Sequence, residues 1–142
     1  MIGKSTFYSL FSHTADLGMS VNGHSCEELF MNAGLAFSEL LVDNKAPKIN
    51  HKLKISLHGN DLPDLMVRWL SEILYLFEGE RVVVTEIFIN VINRNNLIST
   101  LSVMNFDNRY HEVVREIKAV TYHQIEVKEE DGIWTARIIF DL

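Results

Sequence analysis

Residues 61–79, DLPDLMVRWLSEILYLFEG, decide the fold class. Leu65, Met66, Trp69, Leu70, Ile73, Leu74 and Phe77 recur at spacings of three and four, the period of a helix with one broad apolar stripe. The predicted helix runs from about Leu62 to Glu78, with Asn60 or Asp61 as its cap, Pro63 in the first turn and Gly79 just past the end. On either side the period shortens towards two. Strands are predicted at roughly 50–58, 81–92 and 96–104, the last two joined by a turn at Asn95-Asn96. A second helix is predicted upstream, from about Ser25 to Val42. Ser25-Cys26-Glu27-Glu28 forms a capping box, and Leu29, Phe30, Ala33, Phe37, Leu40 and Leu41 form the stripe.

The remaining strand candidates are 5–11, 17–22, 116–128 and 133–141, and Asp131-Gly132 is the strongest hairpin signal in the chain. In the last strand Trp134, Ala136, Ile138 and Phe140 face one way, and Thr135, Arg137, Ile139 and Asp141 the other. Two strands, a helix, a strand, a helix and a run of strands make an α+β pattern. It predicts two helices packed on a mostly antiparallel or mixed β-sheet, in one domain over residues 1–142.

At 142 residues, 47% hydrophobic and 23% charged, the chain is globular in composition. The apolar run from Leu65 to Phe77 is broken by Arg68, Ser71 and Glu72, so no membrane contact is expected. The first residues carry no secretory apolar core, and the single Cys26 leaves no internal disulfide. Both features fit a reducing, cytoplasmic setting. The net charge of −6 argues against a chain that grips nucleic acid by itself, since neutralising phosphates supplies most of that affinity. RNA, if involved, is expected through a partner protein.

Three places hold residues able to do chemistry. His13-Thr14-Ala15-Asp16-Leu17-Gly18 lies between the first two strands, where Asp16 is a turn former or a metal ligand and His13 a structural side chain, ligand or base. Asp141 and the Leu142 carboxylate close a strand that the sheet should anchor; with Asp16 they would suit a hard cation such as calcium, whereas the lack of cysteine argues against structural zinc. Residues 116–124, EIKAVTYHQ, are dense in polar groups, and Lys118 could meet phosphate or guard a strand edge. No Walker loop, G-x-S-x-G, H-E-x-x-H or paired CxxC occurs. Two alternatives stay open: a metal-dependent phosphoesterase or nuclease using His13, Asp16, His123 and Asp141, and a small chaperone-like adaptor with structural carboxylates.

These blocks together resemble the archease family. The resemblance covers HTADLG at 13–18, CEELFMNA at 26–33, residues 61–77, EIKAVTYHQ at 116–124 and ARIIFDL at 136–142, in the family's order along the whole chain. Residues 105–111 depart from it: they lack the family's proline, and Tyr110 stands between Arg109 and His111. The resemblance implies a non-catalytic activator of an RtcB-type tRNA-splicing RNA ligase. Such a factor promotes ligase guanylylation and multiple turnover in tRNA splicing and RNA repair, and in some members broadens nucleotide use. It also implies a metal site, often calcium, at Asp16, Asp141 and Leu142, and a functional lysine at Lys118, with His13 and His123 as secondary candidates.

Overall fold

Ser25 starts the first helix as its position requires. Its Oγ accepts the Glu28 amide at 3.0 Å, and Glu28 Oε1 accepts the His24 amide at 2.7 Å. The computed structural model describes residues 7–13, 15–47 and 51–142, with His13 described by its backbone alone. Residues 5, 6 and 50 of the predicted strands, and Thr14, lie outside this set. Helix α1 covers Cys26–Leu41 and buries Leu29, Phe30, Ala33, Phe37, Leu40 and Leu41, the whole predicted stripe. Helix α2 covers Leu62–Glu80; Asp61 is its cap, accepting the Asp64 amide at 2.9 Å.

Gly79 is not the stop that its residue type suggests. The helix passes through it, and Arg81 takes the left-handed conformation instead, at φ 54°. The Arg81 amide donates to the Phe77 carbonyl, and its guanidinium lies over the rings of Phe77 and Phe106, 5.0 and 4.7 Å from their centroids. Those contacts offset the steric cost of a side chain at positive φ.

The strands divide into separate sheets instead of one. β1 (Tyr8–His13), β2 (Asp16–Gly23) and β10 (Ile133–Asp141) lie side by side in that order. The far edge of β10 is shared by β8 (Ala119–Val120) and β9 (Glu126–Glu130). A second sheet has the order β4 (His51–His58), β6 (Asn96–Asn105), β5 (Val82–Ile92). β3 (Val42–Asn44) and β7 (His111–Val113) form a small ribbon. Every pairing among the described residues is antiparallel. Both helices touch strands of both larger sheets, so the core fills the space the sheets and helices share. Gly34 keeps the packing close: a Cβ there would stand 2.9 Å from Trp69 Cζ2. Trp69, fully buried, donates its Nε1–H to the Phe30 carbonyl at 2.8 Å and ties the helices together.

Two further expectations need correction, and two short strands had no counterpart among them. The predicted strand 116–128 is two short pieces, with a turn at residues 123–124 and Gln124 at φ 53°. Register against β10 slips by three residues between β8 and β9, so the intervening segment loops out. The β5–β6 reversal uses residues 93–95: Asn93 Oδ1 accepts the amides of Asn95 and Asn96 at 3.0 and 2.9 Å, and Asn96 already belongs to β6. β3 and β7 escape detection because three residues are too few to display alternation. The Asp131-Gly132 hairpin forms as predicted, with both residues at positive φ.

Candidate metal-binding end of the sheet

Asp16 opens β2 and Asp141 closes β10, and the sheet register brings them together. The β10–β2 pairing ends at Phe140 with Leu17, so Asp141 and Asp16 each stand one residue beyond it, at the same end of adjoining strands. On its other side Asp141 pairs with Ala119, and the Lys118 amide donates to the Asp141 carbonyl at 2.8 Å. Three segments far apart in sequence thus meet at one end of one sheet. Asp16 is half-buried, while Lys118, Asp141 and Leu142 are exposed.

The secondary candidates fare differently. The backbone of His13 pairs with Asp16, which brings this residue to the same end; its side chain lies outside the described set. His123 sits in the turn beyond β8, where its amide donates to Thr121 Oγ1 at 3.3 Å. Thr121 is already level with Ile139, so the chain is leading away from Asp141 when it reaches His123.

Among the described residues the candidate donors at this end, the Asp16 and Asp141 carboxylates and the main chain of Leu142, are oxygens, which would suit a hard cation. Calcium takes six to eight oxygens, so water or a partner's groups would fill the remaining positions. Among the described residues no group of three or more His, Cys, Asp or Glu side chains is close enough to hold a metal.

A second carboxylate site was not foreseen. Asp64, in the first turn of α2, is buried and surrounded by donors. The Tyr122 hydroxyl donates to Oδ1 at 2.6 Å, and the Arg68 Nε–H and Asn60 amide donate to Oδ2 at 2.9 and 2.8 Å. These hydrogen bonds, Tyr122's first, hold the Asp64 carboxyl down at about 2. The same bond raises the Tyr122 hydroxyl, with burial adding to the effect. Tyr122 belongs to the looped-out segment after β8, four residues beyond Lys118, so the bond fastens that segment to the start of α2. An aspartate three residues after a cap residue, and a tyrosine that breaks an apolar strand pattern, are the only sequence signals; neither names the other.

Elsewhere the chemistry is quiet. Burial, aided by Glu27, pushes the Cys26 thiol up to about 11, which suppresses the reactive thiolate. An open groove of about 1430 Å³ bordered by Tyr8, Glu39, Asp43, Glu112 and Arg115 contains none of the candidate residues. Among the described residues, no helix is long and apolar enough to cross a membrane.

Residues 8–142 match the Archease protein family. This chain belongs to the archease family. Archeases similar to it include those of Methanosarcina mazei, 33% identical over 95% of each chain, and Methanosarcina barkeri, 34% identical over 95% of each chain. The solution structure of Methanobacterium thermoautotrophicum protein 1598 superimposes with a TM-score of 0.72 at 31% identity, covering 95% of this chain and 98% of that one. The Thermotoga maritima crystal structure, described as an archease and possible chaperone, gives a TM-score of 0.64 at 21% identity over 93% and 94% of the two chains; it supports the archease fold alone.

Proposed function

We propose that this archease is a non-catalytic accessory factor of an RtcB-type RNA ligase. It would promote guanylylation and repeated turnover of the ligase, and broaden its nucleotide use, in tRNA splicing and RNA repair in the cytoplasm. The observation that carries the reading is the pairing of Phe140 with Leu17 and of Asp141 with Ala119, which brings the strand ends that carry Asp16, Asp141 and Lys118 to one end of the sheet. A divalent cation, calcium by the chemistry of its donors, would be held by Asp16, Asp141 and the main-chain oxygen of Leu142. Such a cation supplies fixed positive charge that stabilises a transferring phosphoryl group.

The chain's own residues would do the rest. The carboxylates fix the cation at an exposed strand end that a partner can reach, and Lys118 adds an ammonium group from the adjoining strand. A net charge of −6 favours contact with RNA through the ligase over direct contact. The test is ligase guanylylation with and without this protein, comparing wild type with Asp16→Ala, Asp141→Ala and Lys118→Ala. Stimulation should fall in each variant. Undiminished stimulation by all three would remove the site from the proposal. Phosphoester hydrolysis by the isolated protein with added metal would instead favour the enzyme alternative.

A further inference from the structure

Two residues along the sheet from the carboxylates lies a second construction on the same face. Phe11, Gly18 and Ile139 form one cross-strand row through β1, β2 and β10, and Asp16 and Asp141 each stand two residues further along their strands. The Phe11 ring folds across β2 over Gly18, where any Cβ would collide with it. Arg137, one row further in, reaches over the bare glycine and lays its guanidinium on that ring, 4.2 Å from the centroid. Its in-plane N–H groups make no hydrogen bond among the described residues, although Arg137 is exposed and carboxylates stand in the row beyond.

A long side chain that merely covered apolar surface would need neither the glycine nor the ring. Here the glycine admits the ring, the ring orients the guanidinium, and the donors are left in a fixed fork, the geometry that suits a phosphate oxyanion. Arg137 stands four strand residues from Asp141, about 13 Å along the backbone. Its side chain, stacked on Phe11 of the row between, closes part of that distance towards the screening length of about 8 Å at physiological salt. Without a cation the carboxylates would repel an anion at the ledge; a bound cation would remove that repulsion and add positive charge on the guanidinium's side of the sheet.

We propose that Arg137, held on Phe11 over Gly18, is the phosphate-binding residue of the carboxylate end, with a phosphate chain or an RNA phosphate as its ligand. The proposal deepens the metal-site reading and rests on it for its dependence on calcium. The test titrates inorganic tripolyphosphate, and separately a 5′-phosphorylated RNA oligonucleotide, into the full chain with and without calcium. Calorimetry is combined with NMR of the Arg137 Nε–H signal, which the Phe11 ring current marks. The expected result is a saturable shift of that signal, stronger with calcium, and binding about tenfold weaker in Arg137→Lys, which keeps the charge but loses the fork. Phe11→Leu should weaken binding by a smaller factor, and both variants should keep wild-type calcium affinity. Response to tripolyphosphate assigns a nucleotide-like ligand, and response to the oligonucleotide alone assigns RNA. A signal that moves with neither ligand, or binding by Arg137→Lys equal to wild type, overturns the ledge. If the wild type fails to bind calcium, the metal-site reading falls, and the Arg137→Lys comparison without calcium then decides the ledge separately.

Discussion

Asp64 and Asp141 both stand at the end of a secondary-structure element, and their surroundings differ in every respect that matters for function. Asp64 is buried, and both oxygens are committed to donors from Tyr122, Arg68 and Asn60. Asp141 is exposed; its main-chain carbonyl accepts the Lys118 amide, and it stands one residue beyond the Phe140–Leu17 pair, at the strand end next to the one that carries Asp16. A carboxylate already saturated by protein donors contributes to stability. One that the sheet holds rigid yet leaves open to water is available to a cation. Burial alone would rank the two in the wrong order as functional residues.

The sharpest way to break this contrast is to remove each charge in turn. Asp141→Asn should weaken calcium binding on the order of tenfold or more in calorimetry, because a carbonyl oxygen replaces a charged ligand. Its melting temperature without metal should barely move, as expected for an exposed substitution. Wild-type calcium affinity in this variant would erase the distinction. Asp64→Asn should do the reverse, lowering the melting temperature while leaving calcium affinity intact, since its amide nitrogen cannot accept the donors now facing it. A fall in calcium affinity here, in a protein still folded, would mean that the two carboxylate regions act as one.

A finer probe removes only the hydroxyl that links Asp64 to the segment after Lys118. Tyr122→Phe should cost about 1 kcal/mol or less, because Tyr122 is 56% exposed and solvent weakens the bond. It should also change the acid limb of stability. The Asp64 pKa is held at about 2, below its ordinary 3.8, so its stabilising contribution is complete above about pH 4. As pH falls from there towards 2, the unfolded chain takes up the proton first and the contribution is lost. Asp107, held at about 2 chiefly by Arg109, loses its contribution over the same range. Tyr122→Phe should make the decline shallower without abolishing it, a difference measurable by urea unfolding at pH 5 and pH 3. Identical slopes would show that the tyrosine does not hold the carboxyl down.

The sequence carried these regions unequally. Both helices, the final strand and the Asp131-Gly132 hairpin were legible because each is long or has a decisive turn residue. Asp16, Asp141 and Lys118 could be picked out as candidates, and the resemblance joined them into one site; their adjacency follows from β2 and β8 flanking β10, which local periodicity does not encode. The division into two sheets was hidden for the same reason. The 116–128 segment misled because Val120, Ile125 and Val127 keep an extended pattern across a loop whose cause is remote: Tyr122 is drawn to Asp64, 58 residues earlier. The Phe11–Gly18–Arg137 stack combines strand register with a missing side chain, and no spacing rule connects its members.

The smallest expected effect concerns a group that belongs to neither carboxylate region. His111 is 5% exposed, its ring packs 5.5 Å from Phe106, and its Nδ1 accepts the Asp107 amide at 2.9 Å. That bond places the proton on Nε2, which has no hydrogen-bond partner among the described residues. Burial lowers the pKa of His111 from its ordinary 6.5, against the opposing pull of the Asp107 carboxylate. Above about pH 6.5 the ring is neutral in both folded and unfolded chains. As pH drops below that value the unfolded chain binds a proton that the folded chain refuses, so stability declines until the folded ring also titrates. The decline from one site can be no steeper than about 1.4 kcal/mol per pH unit. Comparing urea unfolding of wild type and His111→Gln at pH 7.5 and pH 5.5 isolates it. The variant should lose less stability over that interval, whatever its stability at pH 7.5. Equal losses would mean that the buried ring meets acid no differently from an exposed one, and that the ribbon of β3 and β7 opens freely enough to hydrate it.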